Sequence, residues 1–301
     1  MSQGVILSKR DLALLALLEM TPATAVQIRQ ASITFGEEPF RDERRVRERL
    51  QSLGDAGIVK SWPAAVSGGG LMHYYTLTVA GFRMLHPDSQ ESPPRQIVAE
   101  IAPSRFQHAM ATAAVIVQTL VAAHLGQHRV AQFHGDGKLT LAAGEYRQQP
   151  DCHFQLESRG RTFNVLFEID NATEPLDSLR EQSLRTKLLG YECYQDWVLQ
   201  GWREHGRVEP RPAFRVVVLT KGQQRANHIL WLARDCARNP DRRLCYAATQ
   251  DAYLSELSAL TTPLFNDHHG GWQSLIEHHP TSRHLRAPIR LTRPLAPVRG
   301  V

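Results

Sequence analysis

The chain has 301 residues and a mass of 33.9 kDa, enough for two domains that each have a core. Its 42% hydrophobic and 22% charged residues are ordinary for a soluble globular protein. The longest apolar stretch, Ala109 to Leu125, contains Gln118 and His124, so we expect a buried helix there and no membrane-spanning segment.

Sequence motifs exclude several classes of protein. The first residues, MSQGVILSKRD, lack a signal-peptide pattern, and the four cysteines have no CxxC spacing, so we expect reduced thiols in a cytoplasmic protein. No P-loop, dinucleotide-binding GxGxxG or GxSxG nucleophile elbow occurs. Kinase, helicase, dehydrogenase and serine-hydrolase chemistry are therefore not expected.

The first ninety residues predict three helices followed by a two-stranded hairpin. The helices are expected at 9–20, 23–31 and 41–56, with Ser8 capping the first and Val46, Leu50 and Leu53 on one face of the third. Strands are expected at 58–62 and 72–77, joined through Gly68-Gly69-Gly70, and a short helix at 79–85 follows.

This order, together with the segments LQSLGDAGIVKSW and HYYTLTVAGF, resembles the winged helix-turn-helix family over residues 8 to 86. The resemblance implies that the third helix enters the major groove of duplex DNA and that the wing contacts phosphate or the minor groove. The candidate DNA-binding residues are Arg41, Arg44, Arg45, Arg47, Gln51 and Lys60. The alternative is a domain that binds protein or forms a homodimer, because Asp42, Glu43 and Glu48 lie among the arginines.

Composition predicts the remaining domain boundaries. We expect a winged-helix domain at 1–86, a polar, proline-rich linker at 87–95, a second domain at 96–280 and a tail at 281–301. The tail contains five arginines and no acidic residue. Its formal charge is therefore +5, which equals the net charge of the whole chain. It suits loose contact with phosphate, or it serves only to keep the chain soluble.

Residues 150–170 alternate in polarity and predict a hairpin with Arg159-Gly160 as a two-residue turn. In that register Asp151 faces Glu168, and Asp170 shares their face. Three adjacent carboxylates repel one another unless a divalent cation or a raised pKa compensates. The residues therefore predict a metal site at Asp151, Glu168 and Asp170, with a solvated strand end as the alternative.

The second domain reads as helix, strands, acidic hairpin, helix, buried strand, helix and strand, which predicts a mixed sheet between helices. This α/β (α+β) order resembles the PD-(D/E)xK nuclease fold. Pro150-Asp151 matches the first element of the motif and Glu168 matches the second acid, but Asp170 stands where that family has lysine. The resemblance implies that Lys187 supplies the ammonium group, and only His108 on the first helix could replace an acid there.

The whole chain, over about residues 8 to 220, resembles the replication-relaxation family of plasmid-associated proteins. The matching features are the winged helix, a helix with His108, the segments PDCHF and FEIDNATEP, then Lys187 and Tyr191. The resemblance implies a role in plasmid replication, DNA relaxation or mobilisation, with double-stranded DNA and replication or mobilisation proteins as partners.

Three functions remain open at this point. The first is a Mg²⁺-dependent (or Mn²⁺-dependent) endonuclease or nickase that uses Asp151, Glu168, Asp170 and Lys187. The second is a DNA-binding adaptor whose nuclease-like domain is not catalytic. A regulator that binds a small ligand is a third alternative. The distance between Lys187 and the carboxylates separates the first two.

Overall fold

A computed structural model describes residues 6–65, 69–171, 183–207 and 212–277. The chain forms two compact units, the first ending at His124 and the second beginning at Leu125. The predicted basic tail, 281–301, lies outside the described residues, as do Gly68 of the glycine connector and the first part of the helix predicted from Glu174.

The first unit has the predicted winged-helix order. Its three strands form a sheet in the order β1-β3-β2, and β2 and β3 are the antiparallel wing strands. The elements are α1 (Lys9–Met20), β1 (Ala23–Thr24), α2 (Ala25–Ala31), α3 (Glu43–Asp55), β2 (Val59–Ala65), β3 (Leu71–Leu77), α4 (Val79–Leu85), α5 (Arg95–Val98) and α6 (Pro103–Leu125).

Local sequence determines where these helices begin. Ser8 caps α1 in a capping box with Asp11, and the Asp42 carboxylate accepts the backbone N–H of Arg45 at the start of α3. The third helix therefore begins at Glu43, two residues after the predicted start, and leaves Arg41 outside it. Val46, Leu50 and Leu53 are buried as predicted, and each contributes roughly 2 kcal/mol through burial.

The long apolar helix α6 packs with the first unit. Val117 and Val121 lie in the apolar core of the winged helix, and the Gln118 side chain accepts a hydrogen bond from Gln30. The boundary between the compact units thus falls at the last residue of α6, whereas α6 was predicted to belong to the second domain. By length and composition alone α6 could cross a membrane, yet 56% of its most apolar window is buried inside the protein.

The second unit is built on a seven-stranded mixed sheet in the order β12-β11-β10-β9-β8-β7-β4. The strands β4, β7 and β8 are antiparallel neighbours, and β8, β9 and β10 run parallel. The elements are β4 (Arg129–His134), β5 (Leu141–Ala143), β6 (Tyr146–Gln148), β7 (Cys152–Ser158), β8 (Arg161–Asp170), α7 (Leu184–Glu204), β9 (Phe214–Thr220), α8 (Gln223–Cys236), β10 (Cys245–Thr249), α9 (Gln250–Ser255), β11 (Phe265–Asp267) and β12 (Trp272–Gln273).

The two faces of this sheet differ in character. One face packs Leu166 and Val218 against α7 and α8. The other carries a row of aromatic contacts from Phe154 through Phe167 to Tyr253 on α9. The predicted mixed sheet between helices is therefore confirmed, and its α7-facing side holds the polar residues described next.

Candidate active site and nucleic-acid interface

The β7–β8 hairpin has the predicted register. Arg159 and Gly160 form the turn with φ of 49° and 74°, and Cys152 pairs with Phe167. Positive φ at both positions is the geometry of a two-residue hairpin turn that matches the twist of the strands, and glycine adopts it without strain. The next position along places Asp151 beside Glu168.

Asp151 lies directly before the first residue of β7 and is held there by two contacts with the backbone of β8. Its N–H donates to the carbonyl oxygen of Phe167 at 3.0 Å, and its carboxylate Oδ2 accepts the N–H of Ile169 at 2.6 Å. Asp151 thus bonds to the β8 backbone on either side of Glu168, once through its own N–H and once through its carboxylate, which keeps the two carboxylates close. The negative charge of Asp151 contributes to the pKa of Glu168 by raising it.

Glu168 is buried, with only 3% of its surface exposed. Lys187 Nζ donates to its Oε2 at 3.0 Å, and Tyr191 Oη donates to its Oε1 at 2.5 Å. Burial is the main reason that its pKa rises to about 7, with Asp151 adding to the rise while Lys187 and Tyr191 oppose it. Near neutral pH this carboxylate can therefore gain or lose a proton.

Helix α7 places Lys187 and Tyr191 against the same carboxylate. The two residues are four positions apart and therefore lie on one side of the helix. The Ser183 side chain accepts the N–H of Thr186 and caps the helix just before Lys187. Tyr191 is fully buried, whereas 21% of the Lys187 side chain remains exposed. The ammonium group can thus meet a molecule that approaches from solvent.

Asp170, the third predicted metal ligand, makes a different contact. Arg225 near the start of α8 binds it through two nitrogens, Nη2 to Oδ1 at 2.8 Å and Nε to Oδ2. Among the described residues, no group of three His, Cys, Asp or Glu side chains is arranged to hold a metal ion. No such group therefore contains Asp151, Glu168 and Asp170 together, and Asp170 is instead paired with Arg225.

The remaining arrangement is a pair of carboxylates with an ammonium group. Asp151 and Glu168 offer hard oxygen ligands, and Mg²⁺ is commonly bound by one or two carboxylates together with water and substrate phosphate. The repulsion between the two acids is the kind of cost that a cation removes. Lys187, at 3.0 Å from Glu168, adds a cation that could contact a phosphate oxygen or a water.

The predicted DNA-binding residues lie on the surface of the first unit. Arg44 is 85% exposed and bonds Glu48 at 2.8 Å, and Arg45 bonds the same carboxylate at 3.0 Å. Arg47 bonds Glu43 at 2.6 Å. Exposed pairs within one helix contribute only a few tenths of a kcal/mol, so these arginines can exchange their partners for phosphate at little cost.

The other predicted DNA-binding residues are also exposed. Gln51 donates to Asp55 on the same helix, and Arg41 lies just before the helix start. Lys60 on β2 lies over the ring of Trp62 at 3.9 Å from its centroid, which holds the ammonium group above the wing. The six residues therefore lie on α3, just before it, or on the first wing strand.

Several contacts were not expected from the sequence. Arg225 lies 55 positions from Asp170, and no pattern in the sequence connects them. Tyr191 was expected as a feature of the replication-relaxation resemblance, but not as a partner of Glu168. His108, the predicted substitute for an acid, lies on α6 in the first unit, where its carbonyl oxygen accepts the Thr112 hydroxyl. For Arg225, no signal in the sequence could have revealed the contact.

The fold and the site together define a winged-helix protein whose second unit is a mixed-sheet α/β domain with two buried, ion-paired carboxylates, Glu168 and Asp170. The replication-relaxation family model matches residues 14–208, so the chain belongs to the replication-relaxation family. This membership associates the chain with DNA replication.

Other comparisons give only weak similarity. No curated protein matches the chain. Bacillus subtilis PadR in complex with operator DNA is 18% identical, with a TM-score of 0.24, over 38% of this chain and 68% of PadR. The restriction endonuclease FokI is 13% identical, with a TM-score of 0.28, over 83% of this chain and 44% of FokI. The DNA-bound structure of FokI is 12% identical, with a TM-score of 0.29 and the same coverage of both chains. At these values neither protein informs the function of the chain.

Proposed function

We propose that the chain is a DNA-binding protein of plasmid or mobile-element replication or mobilisation, acting in the cytoplasm, whose second unit hydrolyses a DNA phosphodiester with Mg²⁺ or Mn²⁺. The observation that carries the catalytic part is the 3.0 Å contact between Lys187 Nζ and Glu168. It places an ammonium group at the acidic hairpin, although Asp170 occupies the position where a nuclease of this type would have lysine.

Each residue of the site would have a separate role. Asp151 and Glu168 would hold the metal ion, which when bound lowers the pKa of a bound water and stabilises charge on the phosphate. Lys187 would hold the phosphate or the attacking water. Tyr191 would keep the Glu168 carboxylate in place through its hydrogen bond. Asp170 would act from outside this group, because its carboxylate is bound to Arg225.

The winged helix would bind the duplex through α3 and the wing. Exposed Arg44, Arg45 and Arg47 would contact phosphate or guanine edges, and each well-formed guanine contact would discriminate by ~1–3 kcal/mol. Arg41, Gln51 and Lys60 would extend this surface. A homodimer on a two-part DNA site, and contacts with other replication proteins, belong to the same proposal.

A non-catalytic DNA-binding adaptor is the second candidate. It is supported by the Asp170–Arg225 pair, which occupies the position where the nuclease resemblance has a lysine, and by the lack of a three-residue ligand group among the described residues. In that case the ion pairs of the second unit would only stabilise its fold, and the winged helix would carry the function.

A cleavage assay tests the first candidate against the second. Supercoiled and linear DNA would be incubated with the protein in Mg²⁺, Mn²⁺ or chelator. The variants are Asp151→Asn, Glu168→Gln and Lys187→Met, which remove charge while keeping side-chain size. We expect nicking that requires metal and is lost in all three variants.

Glu157→Gln is the matched control, because Glu157 is a partly exposed acid on β7 and its carboxylate bonds Arg129. It should cleave as the wild type does. Retarded migration of DNA without cleavage, equal in every variant, would identify the adaptor. Cleavage that survives Asp151→Asn and Glu168→Gln would place any nuclease activity elsewhere.

A further inference from the structure

Two histidines face each other on neighbouring strands of the second unit. His134 on β4 and His153 on β7 are direct cross-strand partners, and their Nδ1 atoms lie 3.0 Å apart. The rings are nearly parallel, with an angle of 21° and 5.3 Å between their centroids. His153 is buried and His134 is half-buried. The pair therefore forms one preorganised group with access to solvent through His134.

A β-bulge creates this pairing. Val130 pairs with Leu156, but Gln132 pairs with Gln155, so Ala131 is an extra residue in β4. Without the bulge, His134 would lie opposite Cys152, and its side chain would face the aromatic side of the sheet. A shift of one residue exchanges the two faces of a strand, and bulges commonly redirect side chains beside functional sites.

The spacing of the two nitrogens suits a shared metal ion. Zinc–imidazole bonds are about 2.0–2.1 Å, so two imidazole nitrogens on one ion lie ~2.8–3.4 Å apart for angles between about 90° and 109°. The observed 3.0 Å falls within that range. The same distance also fits an N–H···N hydrogen bond between two neutral rings, which is the competing explanation.

We propose that His134 and His153 bind a divalent transition-metal ion, Zn²⁺ or Cu²⁺, through their two Nδ1 atoms. Imidazole nitrogen favours these ions, whereas the oxygen ligands of Asp151 and Glu168 favour Mg²⁺. Because the described residues supply no third His, Cys, Asp or Glu to such a group, the other coordination positions would be filled by water or by an incoming ligand.

The proposed site lies next to the carboxylates but does not depend on them. His153 is two residues from Asp151 on the same strand, so the two side chains share the α7-facing side of the sheet. The proposal holds whether or not the second unit cleaves DNA. A bound transition ion at this position would also bring positive charge beside Asp151.

Copper binding to the untagged full-length chain provides the test. Cu²⁺ would be titrated while electron paramagnetic resonance reports the number of coordinating nitrogens, and Zn²⁺ would compete for the same site. We expect one high-affinity equivalent with two imidazole nitrogens. Loss of an outer-shell partner already lowers metal affinity ~10-fold, so loss of a direct ligand in His134→Asn or His153→Asn should lower it at least that much.

Three controls define the outcome. His124→Asn removes an exposed histidine among the fourteen in the chain and should leave the high-affinity equivalent unchanged. Glu157→Gln on β7 should also retain it, and an excess of Mg²⁺ should not displace Cu²⁺. If His134→Asn, with the circular dichroism of the wild type, binds Cu²⁺ with unchanged affinity and nitrogen count, the pair is only a hydrogen bond and the proposal is overturned.

Discussion

Arg225 binds Asp170 with two nitrogens at the carboxyl end of β8, where the nuclease resemblance places a lysine. The pair changes the expected charge of the site. An acid in place of lysine would leave three neighbouring carboxylates with one ammonium group, but the guanidinium restores a second positive charge. The third acid is thus compensated by an arginine from the following helix, which explains how it can remain buried.

Removing this arginine should destabilise the second unit strongly. Arg225→Ala leaves the Asp170 carboxylate buried and uncompensated, and breaking a buried pair in this way costs about 3 kcal/mol or more. Urea denaturation followed by circular dichroism measures the free energy of unfolding. The double variant Asp170→Asn/Arg225→Gln removes both charges and should recover most of the loss. Equal destabilisation of the single and double variants would contradict a charge-based explanation.

The raised pKa of Glu168 predicts a pH dependence of stability. Its value is about 7 in the folded protein, against an ordinary 4.5, so the folded state binds the proton more tightly than the unfolded state between these values. Wild-type stability should therefore fall as pH rises from about 4.5 to 7 through this group, by up to roughly 3 kcal/mol, and level off above. Glu168→Gln should remove that slope, measured as the free energy of unfolding at several pH values.

Tyr191→Phe is the informative companion to this variant. The hydrogen bond from Tyr191 lowers the pKa of Glu168, so its loss should raise that pKa and extend the falling part of the stability curve to higher pH. The variant keeps the buried ring and alters only the hydroxyl. A curve identical to that of the wild type would mean that Tyr191 does not bond the charged carboxylate.

Alternation of residue type was sufficient to predict the hairpin and its register. Period-two polarity in β7 and β8 and a glycine at the turn leave one arrangement that buries Phe154, Val165 and Phe167 together. The faces of α3 and the spacing of Lys187 and Tyr191 follow equally from helical period. In each case the controlling contacts lie within one strand, one helix or one hairpin.

The unpredicted features depend on contacts between distant parts of the chain. Arg225 reaches Asp170 only because β9 returns parallel to β8 and positions the start of α8 there. His134 meets His153 because of a single extra residue in β4, which no polarity pattern reveals. The partner of Asp170 comes from α8, which lies outside the hairpin. The hairpin sequence alone therefore could not show that Asp170 pairs with an arginine instead of joining a three-acid ligand set.

Two glycines of the first unit should respond oppositely to alanine. A Cβ on Gly81 in α4 would collide with the backbone carbonyl oxygen of Ile58, which cannot move without shifting the wing strand, so Gly81→Ala should cost ~1–3 kcal/mol. Gly54 in α3 has its nearest neighbour, Val59 O, at 3.7 Å from such a Cβ, so Gly54→Ala should stabilise by up to ~1 kcal/mol. Thermal unfolding of both variants measures the two changes in stability. Stabilisation by Gly81→Ala would contradict the close packing of Gly81 against Ile58.

The α3 arginines should determine how DNA binding depends on salt. In Arg44→Ala/Arg47→Ala two exposed cations are lost, so affinity for duplex DNA should fall and the slope of log K against log salt should decrease by about 2, because each phosphate contact contributes ~0.9. Fluorescence anisotropy at several salt concentrations measures both quantities. An unchanged slope would remove this helix from the DNA interface.

Glu48→Gln supplies the complementary test on the same helix. Glu48 accepts hydrogen bonds from both Arg44 and Arg45, so the neutral side chain would release these guanidinium groups and raise the local charge by one. Affinity for DNA should therefore increase, most clearly at low salt, where exposed charges are least screened. Because Glu48 is exposed, folding should be little affected, so weaker binding by Glu48→Gln would indicate that the acid itself contacts the DNA.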